Sequence, residues 1–161
     1  MPRKYWLMKC ELSECSFDEL KDKRANSTGK WRGVRNYQAR NFIRDEMKKG
    51  DWVLFYQSNC ETPGVPGVAV VALEAYPDPT AFEKKSKYFD PKSTKEDPRW
   101  FSVDIKWKRK LKNYVSLREM KATPALSDMR VVQRWQRLSI QPVSSEDFER
   151  VCAMGGIKMR G

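Results

Sequence analysis

The stretch Ser27–Phe42, STGKWRGVRNYQARNF, sets one Trp between two glycines and surrounds it with Lys and Arg. Small polar residues dominate loops, so an indole at Trp31 with no apolar neighbour on either side asks for a reason. Gly29 to Gly33 reads as a loop. From near Arg35 the pattern turns helical and runs to about Lys48. Ala39, Phe42, Ile43 and Met47 share one face at the helical period, and Gly50 stands where it would stop the helix. Tyr37, Arg40, Asn41, Arg44 and Lys48 form a second stripe on another side. Trp31 is therefore expected on a loop that leads into an amphipathic helix.

The flanking segments supply strands. YWLMKC (Tyr5–Cys10) reads as a first buried strand, and Ser16-Phe17-Asp18-Glu19 is a capping box that starts a short helix. DWVLFYQS (Asp51–Ser58) reads as a strand buried on both faces, NCETPGVPG as a turn-rich connection, and VAVVALEA (Val68–Ala75) as another buried strand. Tyr76 to Pro98 is polar with four prolines, so it predicts a long ordered loop or short helical turns. Phe101, Val103, Ile105 and Trp107 alternate with Ser102, Asp104, Lys106 and Lys108, the pattern of a half-buried strand with a basic outer face. SLREMKATPALSDM gives short helices broken at Pro124. RLSIQPV (Arg137–Val143) is a last strand, and Ser144-Ser145-Glu146-Asp147 caps a helix carrying Phe148 and Val151. Five or six strands with mostly non-helical connections predict an α+β fold, a small mixed β-barrel with helices packed around it. A parallel βαβ sheet would need regular helices between the strands. A chain of 161 residues suits one domain, placed at residues 1–155, with 156–161 as a flexible tail.

The totals exclude several classes. There is no apolar run of 18 residues for a membrane span. Lys9 interrupts MPRKYWLMKC before it reaches the length of a signal-peptide core, which predicts a cytoplasmic chain. Four cysteines, at positions 10, 15, 60 and 152, show no C-x-x-C spacing, and the chain has no His. Reduced, mostly buried thiols are expected, with no metal site, no cofactor, no Ser-His-Asp triad and no Cys-His pair. The net charge of +11 is uneven: Lys84 to Lys121 holds 13 Lys and Arg against 5 Asp and Glu, a net of +8, which leaves +3 for the other 123 residues. Such asymmetry suits a polyanionic partner; a solvated face that aids solubility is the plainer account.

Two tryptophans escape the core pattern, Trp31 and Trp100, the latter on the polar face opposite Phe101. Indoles can stack on a nucleobase, worth about 1–3 kcal/mol per base, or hold a cationic or methylated group on the ring face. They can also pack under a loop. Lys30, Arg32, Arg35, Arg40 and Arg99 are the candidate phosphate contacts, since Arg offers a planar fork and Lys a point charge, and a helix start after Gly33 would add N–H donors. STGKW lacks the first Gly and the Ser/Thr after Lys of a P-loop, so no NTPase is implied. Lys9 lies inside an apolar strand, either pointing outward at an edge or at the mouth of a cavity. Tyr56, Ser58 and Asn59 offer hydrogen-bonding groups that could read a base edge or simply form the turn before Pro63.

Over nearly its whole length the chain resembles the EVE-domain family, within the PUA-like superfamily that also holds the YTH readers of methylated RNA. The matching segments are YWLMKCE, KWRGVRNYQARNF, GDWVLFYQSNC, GVPGVAVVALEAYPDPTAF, DPRWFSVDIKW and RLSIQPVSSEDFERV, in that order. The resemblance implies a pseudo-barrel with a pocket for a modified base, lined by Lys9, Cys10, Trp31, Asn36, Tyr37, Tyr56, Ser58, Trp100 and Arg137. Trp31 and Trp100 would take the part of the aromatic cage. The family usually has Ser-Glu-Pro after the first Lys where this chain has Cys10-Glu11-Leu12, and a thiol is a much poorer hydrogen-bond donor than a hydroxyl. The expected partner is DNA or RNA carrying a modified base, bound by a monomer. An alternative is a small amidohydrolase of the ASCH type acting on modified nucleosides, with Lys9 and either Glu11 or Glu74 as the working pair. A protein-interaction domain using the basic face is a third.

Overall fold

The computed structural model describes residues 3–12, 16–22, 28–134 and 137–159. Its strands are β1 (Tyr5–Glu11), β2 (Thr28–Trp31), β3 (Trp52–Ser58), β4 (Gly64–Pro77), β5 (Phe101–Ser116) and β6 (Ile140–Val143). They form one sheet in the order β2-β5-β4-β3-β1-β6. Only β1 and β3 run parallel; the other neighbours are antiparallel.

Side chains alternate across a strand, and the apolar runs of β1 and β3 use both sides. Trp6, Met8, Val53 and Phe55 enter one core, with Val103 and Ile105 of β5. Leu7, Trp52, Leu54 and Tyr56 enter a second core on the other side. The first core is wrapped by the sheet itself. In a flat sheet β2 and β3, three strand spacings apart, would lie about 14 Å from one another. Yet the rings of Trp31 on β2 and Phe55 on β3 have centroids 5.9 Å apart. The sheet therefore curls over this core as a half-barrel, with β2 and β6 left as its edges. Register shifts along β4 and β5 supply the bending. They also reverse the parity of β5: Ile105 belongs to the first core and Leu111 to the second.

The helices follow their caps. Helix α1 (Phe17–Asp22) begins where Ser16 Oγ accepts from Glu19 N–H, as the capping box predicts. Helix α2 (Tyr37–Asn41) is shorter than expected and passes into a π-helical turn at Phe42–Glu46. Ala39, Ile43 and Met47 are buried as the period requires. The helix ends before Gly50, because Met47 turns extended and Asp51 Oδ2 takes the Lys48 N–H. Short helix α3 (Leu117–Lys121) and two 3₁₀ turns precede β6, and α4 (Ser145–Met154) starts at the predicted Ser144 cap. These cover the second core.

Other boundaries differ for local reasons. Gly29 to Trp31 is edge strand and not loop, because pairing with β5 overrides the weak strand preference of glycine. β4 begins at Gly64, inside the segment expected to be a turn, and carries Pro66 at a register shift where the ladder needs no N–H. The tail expected to fray from residue 156 is tied down as far as it is described: Ile157 is buried, its N–H donates to Cys152 O, and Arg109 donates to Lys158 O. Cys60 and Cys152 are free thiols, the second buried, and Cys10 and Cys60 are only half-buried; Cys15 lies outside the described residues.

Candidate nucleic-acid interface

Trp31 ends β2 opposite Val103, and Lys30 sits opposite Asp104. Alternation turns the indole toward the curled core and the Lys30 amine to solvent. The indole meets Phe55 edge-on at 85° and stays half-buried, so part of it is open to water. Its floor is stiff. Phe55 packs on Phe17, and Phe17 stacks on Trp107 at 5.6 Å. Gly67 lies so close beneath Phe17 that a Cβ there would sit 2.2 Å from the ring. Cys10 packs against the same core from β1, and Arg32 is exposed beside Trp31.

The chain leaves Trp31 through Gly33, which adopts a φ of +81°, and a Cβ at this point would sit 2.6 Å from the Tyr88 ring. Both facts require glycine. A buried carboxylate then fixes the turn. Asp78 accepts from Gly33 N–H at 2.8 Å, Arg35 Nη1 at 3.0 Å, Thr80 N–H at 2.9 Å and Thr80 Oγ1 at 2.6 Å. Burial alone would raise the Asp78 pKa, but the bonds from Thr80, Gly33 and Arg35 outweigh it and hold the group below its ordinary value.

Arg35 is accordingly not free for phosphate. Beyond Asp78, its guanidinium donates to Tyr88 O at 2.6 Å, to Val34 O at 2.8 Å and to Thr80 Oγ1 at 3.3 Å. It also lies between aromatic rings, 5.4 Å from the Tyr88 centroid and 5.3 Å from that of Trp100. Trp100 is only 6% exposed and belongs to neither apolar core. Its Nε1 donates to Asp90 at 2.7 Å, a bond that lowers the Asp90 pKa, and Tyr37 stacks on it at 4.8 Å and 27°. The Arg40 guanidinium stands 4.9 Å from the Tyr37 ring and donates to Arg99 O. The expectation that Trp100 offers an open stacking face is thereby corrected, since its ring is taken up by Tyr37 and Arg35. Asn36 caps α2, its Oδ1 accepting from Ala39 N–H, so the helix start expected to offer donors uses one on its own cap. Arg99 is half-buried.

The remaining candidates stand elsewhere. Lys9 pairs in register with Tyr56, and its amine lies 5.8 Å from the Tyr56 ring. Tyr56 belongs to the second core, on the opposite side of the sheet from Trp31. Burial lowers the Lys9 pKa; it pushes the Tyr56 hydroxyl up to about 12, with Tyr114 and Cys60 adding to the rise. Ser58 is two residues beyond Tyr56 and shares its side by alternation. Cys10 and Lys9, adjacent in sequence, thus face opposite sides. Arg137 is exposed ahead of β6. Lys9 and Glu74 lie toward opposite ends of the sheet, since Tyr5 pairs with Trp52 and Trp52 with Val70 while β4 runs back. The eight residues between their levels span about 26 Å. Glu74 instead accepts from Lys49 N–H. Lys9 and Glu11 do share a side.

The structure therefore packs Trp31 and Cys10 against the same core, and separately brings together Tyr37 with Trp100, Arg35 and Arg40. Asp78, Tyr88 and Asp90 were not singled out from the sequence. For Asp78 a signal existed: Asp78-Pro79-Thr80 has Asp at a cap and Pro at the first helical position, and Asp78 caps the 3₁₀ turn Pro79–Phe82.

A family model described as the EVE domain matches residues 4–154. The chain is 41% identical over 167 residues to thymocyte nuclear protein 1 of Mus musculus, covering 93% of this chain and 73% of that protein. The structure of human THYN1 protein in complex with 5-methylcytosine containing DNA is similar at a TM-score of 0.87 and 39% identity, over 97% of this chain and 99% of that one. The YTH domain of Zygosaccharomyces rouxii MRB1, in complex with N6-methyladenosine RNA, shares the fold at a TM-score of 0.51 and 12% identity, over 98% of this chain and 89% of that one. The PUA-like fold read from the sequence is therefore the fold of the chain. The cytoplasmic expectation is corrected: the relatives are named nuclear proteins and the human one is seen on DNA. A signal-peptide argument cannot separate cytoplasm from nucleus.

Proposed function

The chain belongs to the EVE-domain family, and we propose that it is a nucleic-acid-binding module that takes a modified base, in the first place 5-methylcytosine of DNA, against the open part of the Trp31 indole. The observation that carries this reading is the state of Trp31. The indole is half-buried, held edge-on by Phe55, and set between the exposed cations Lys30 and Arg32. The human relative at 39% identity is bound to 5-methylcytosine containing DNA.

The chemistry follows from the residues. An extruded base would stack on the indole, worth about 1–3 kcal/mol, against an unstacking cost of a few kcal/mol that phosphate contacts help to offset. Lys30 and Arg32 would hold flanking phosphates, and the exposed Lys106, two residues along β5 from the partner of Lys30, would extend the field along the backbone. Cys10 packs against the core that Trp31 caps. A sulfur at that position favours contact with a methyl group over hydrogen bonding to a polar edge.

The test is binding to single-stranded and duplex DNA and RNA, plain or carrying one 5-methylcytosine or N6-methyladenine, at two salt concentrations. The expected result is a preference of about ten-fold for one modified base that survives the higher salt, the scale of one methyl group in an apolar pocket. Trp31→Ala should erase the preference. Equal binding of modified base by Trp31→Ala and wild type would remove the stacking role. Salt-sensitive binding without preference would reduce the function to the basic face alone.

A further inference from the structure

We infer that the exposed end of the column Tyr88–Arg35–Trp100–Tyr37–Arg40 is a second stacking station, for a nucleobase that neighbours the one taken up at Trp31. This rests on the proposed reading only for the nature of the ligand, a nucleic acid.

Tyr37 is 53% exposed and, among the described residues, is the one aromatic of the large exposed hydrophobic residues, the others being Leu12 and Leu73. It is a member of neither apolar core among the described residues. It is nonetheless fixed. It lies nearly flat on Trp100, Trp100 is pinned through Nε1 to Asp90, and Arg35 is pinned by Asp78, Thr80 and the Tyr88 carbonyl. A ring whose orientation is set before binding loses little freedom when a base arrives, which is what makes a preorganised stacking surface effective. The column already combines aromatic rings with guanidinium planes, and both kinds of surface stack on bases. Arg40 stands over the Tyr37 ring, 4.9 Å from its centroid, and is anchored to Arg99 O, so the column ends in a guanidinium plane backed by Tyr37, and an incoming base stacks on that plane and on the part of the ring it leaves open.

The location fits a neighbouring nucleotide. Trp100 precedes Val103, the partner of Trp31, by three residues on β5 and its approach. That is about 10 Å of extended chain. One strand could place one base at Trp31 and a nearby base at Tyr37, with its phosphates beside Lys30, Arg32 and Arg40.

The test uses the full chain and a DNA strand with one 5-methylcytosine, in which an abasic nucleotide is walked through the flanking positions. In the wild type the abasic nucleotide should weaken binding about ten-fold at one flanking position, the scale of a single lost stack. In Tyr37→Ala the intact strand should bind weaker by a similar factor, and the same abasic nucleotide should cost nothing further. Tyr37→Trp should restore the abasic penalty. Independently of any variant, 2-aminopurine at that position should be quenched on binding wild type. Identical abasic penalties in wild type and Tyr37→Ala at every position, or the absence of quenching, would overturn the inference. Failure of the Trp31 reading has a different signature. The preference for 5-methylcytosine over cytosine would be missing, while the coupling between Tyr37 and the flanking base could still be measured on plain strands.

Discussion

Trp31 and Trp100 look alike in the sequence, each beside basic residues and each outside the core pattern, yet the fold gives them opposite situations. Trp31 is on the edge strand β2, touches the core along its edge and keeps part of its ring in water. Trp100 is buried, hydrogen-bonded at Nε1 and covered by Tyr37 and Arg35. An aromatic that the periodicity fails to explain is thus either unpacked or packed in a small cluster of its own. What decides is whether polar partners close around it. Trp100 has Asp90 and Arg35; at Trp31 the flanking side chains Lys30 and Arg32 are exposed.

The sharpest way to break this contrast is to truncate both. Trp100→Ala should cost about 3–5 kcal/mol in urea unfolding, the range for a buried large aromatic. Trp31→Ala, half-exposed, should cost about 1–2 kcal/mol. In oligonucleotide binding the order should reverse in kind: a refolded Trp100→Ala keeps its base preference and Trp31→Ala loses it. Equal destabilisation by the two would mean that Trp31 is a core residue and would leave the indole no part in binding.

The next test concerns what holds the two stations in register. Asp78 links Gly33, just beyond Trp31, to Arg35, just beneath Trp100. Asp78→Asn keeps the shape and removes the charge, and should cost about 2 kcal/mol at neutral pH, the scale of a charged hydrogen-bonding group. The sign with pH follows from the lowered folded pKa. The contribution of Asp78 is complete above the ordinary carboxylate value of 3.8 and is lost as pH falls through the lower folded value. The gap between wild type and Asp78→Asn should therefore be full at neutral pH and close below that point. A gap independent of pH would show that the hydrogen-bond geometry, and not the charge, anchors the turn.

Much of this architecture was legible because local rules and tertiary structure agree. The caps at Ser16 and Ser144, the buried face Ala39–Ile43–Met47 and the double-sided β3 each follow from residue spacing alone. The order of the segments identified the family, and with it the curled sheet. The site was less legible because it depends on which side of a strand each residue faces, and that is set by register. Lys9, Cys10, Tyr56 and Trp31 were expected to line one pocket, but the single-residue alternation of β1 sends Lys9 to the core of Tyr56 and Cys10 to the core of Trp31. The role of Arg35 was hidden for a related reason. Its partners Asp78, Thr80 and Tyr88 lie more than forty residues away in sequence, so nothing local distinguishes it from Arg32.

That last pair of cations gives the smallest predicted effect and the finest test of the contrast. Lys30, beside the open tryptophan, is exposed; Arg35, beneath the buried one, is saturated by acceptors. A cation that neutralises one phosphate contributes about 0.7–0.9 to the slope of log K against log salt. Lys30→Gln should therefore lower the slope by that amount, weaken binding alike for plain and modified strands, and leave the unfolding midpoint unchanged. Arg35→Gln should do the reverse, lowering stability while the salt slope of the surviving folded protein stays as in wild type. A loss of slope in Arg35→Gln equal to that in Lys30→Gln would mean that the guanidinium leaves Asp78 when nucleic acid binds. The buried column would then be part of the binding surface, and the distinction between the two tryptophans would hold only for the free protein.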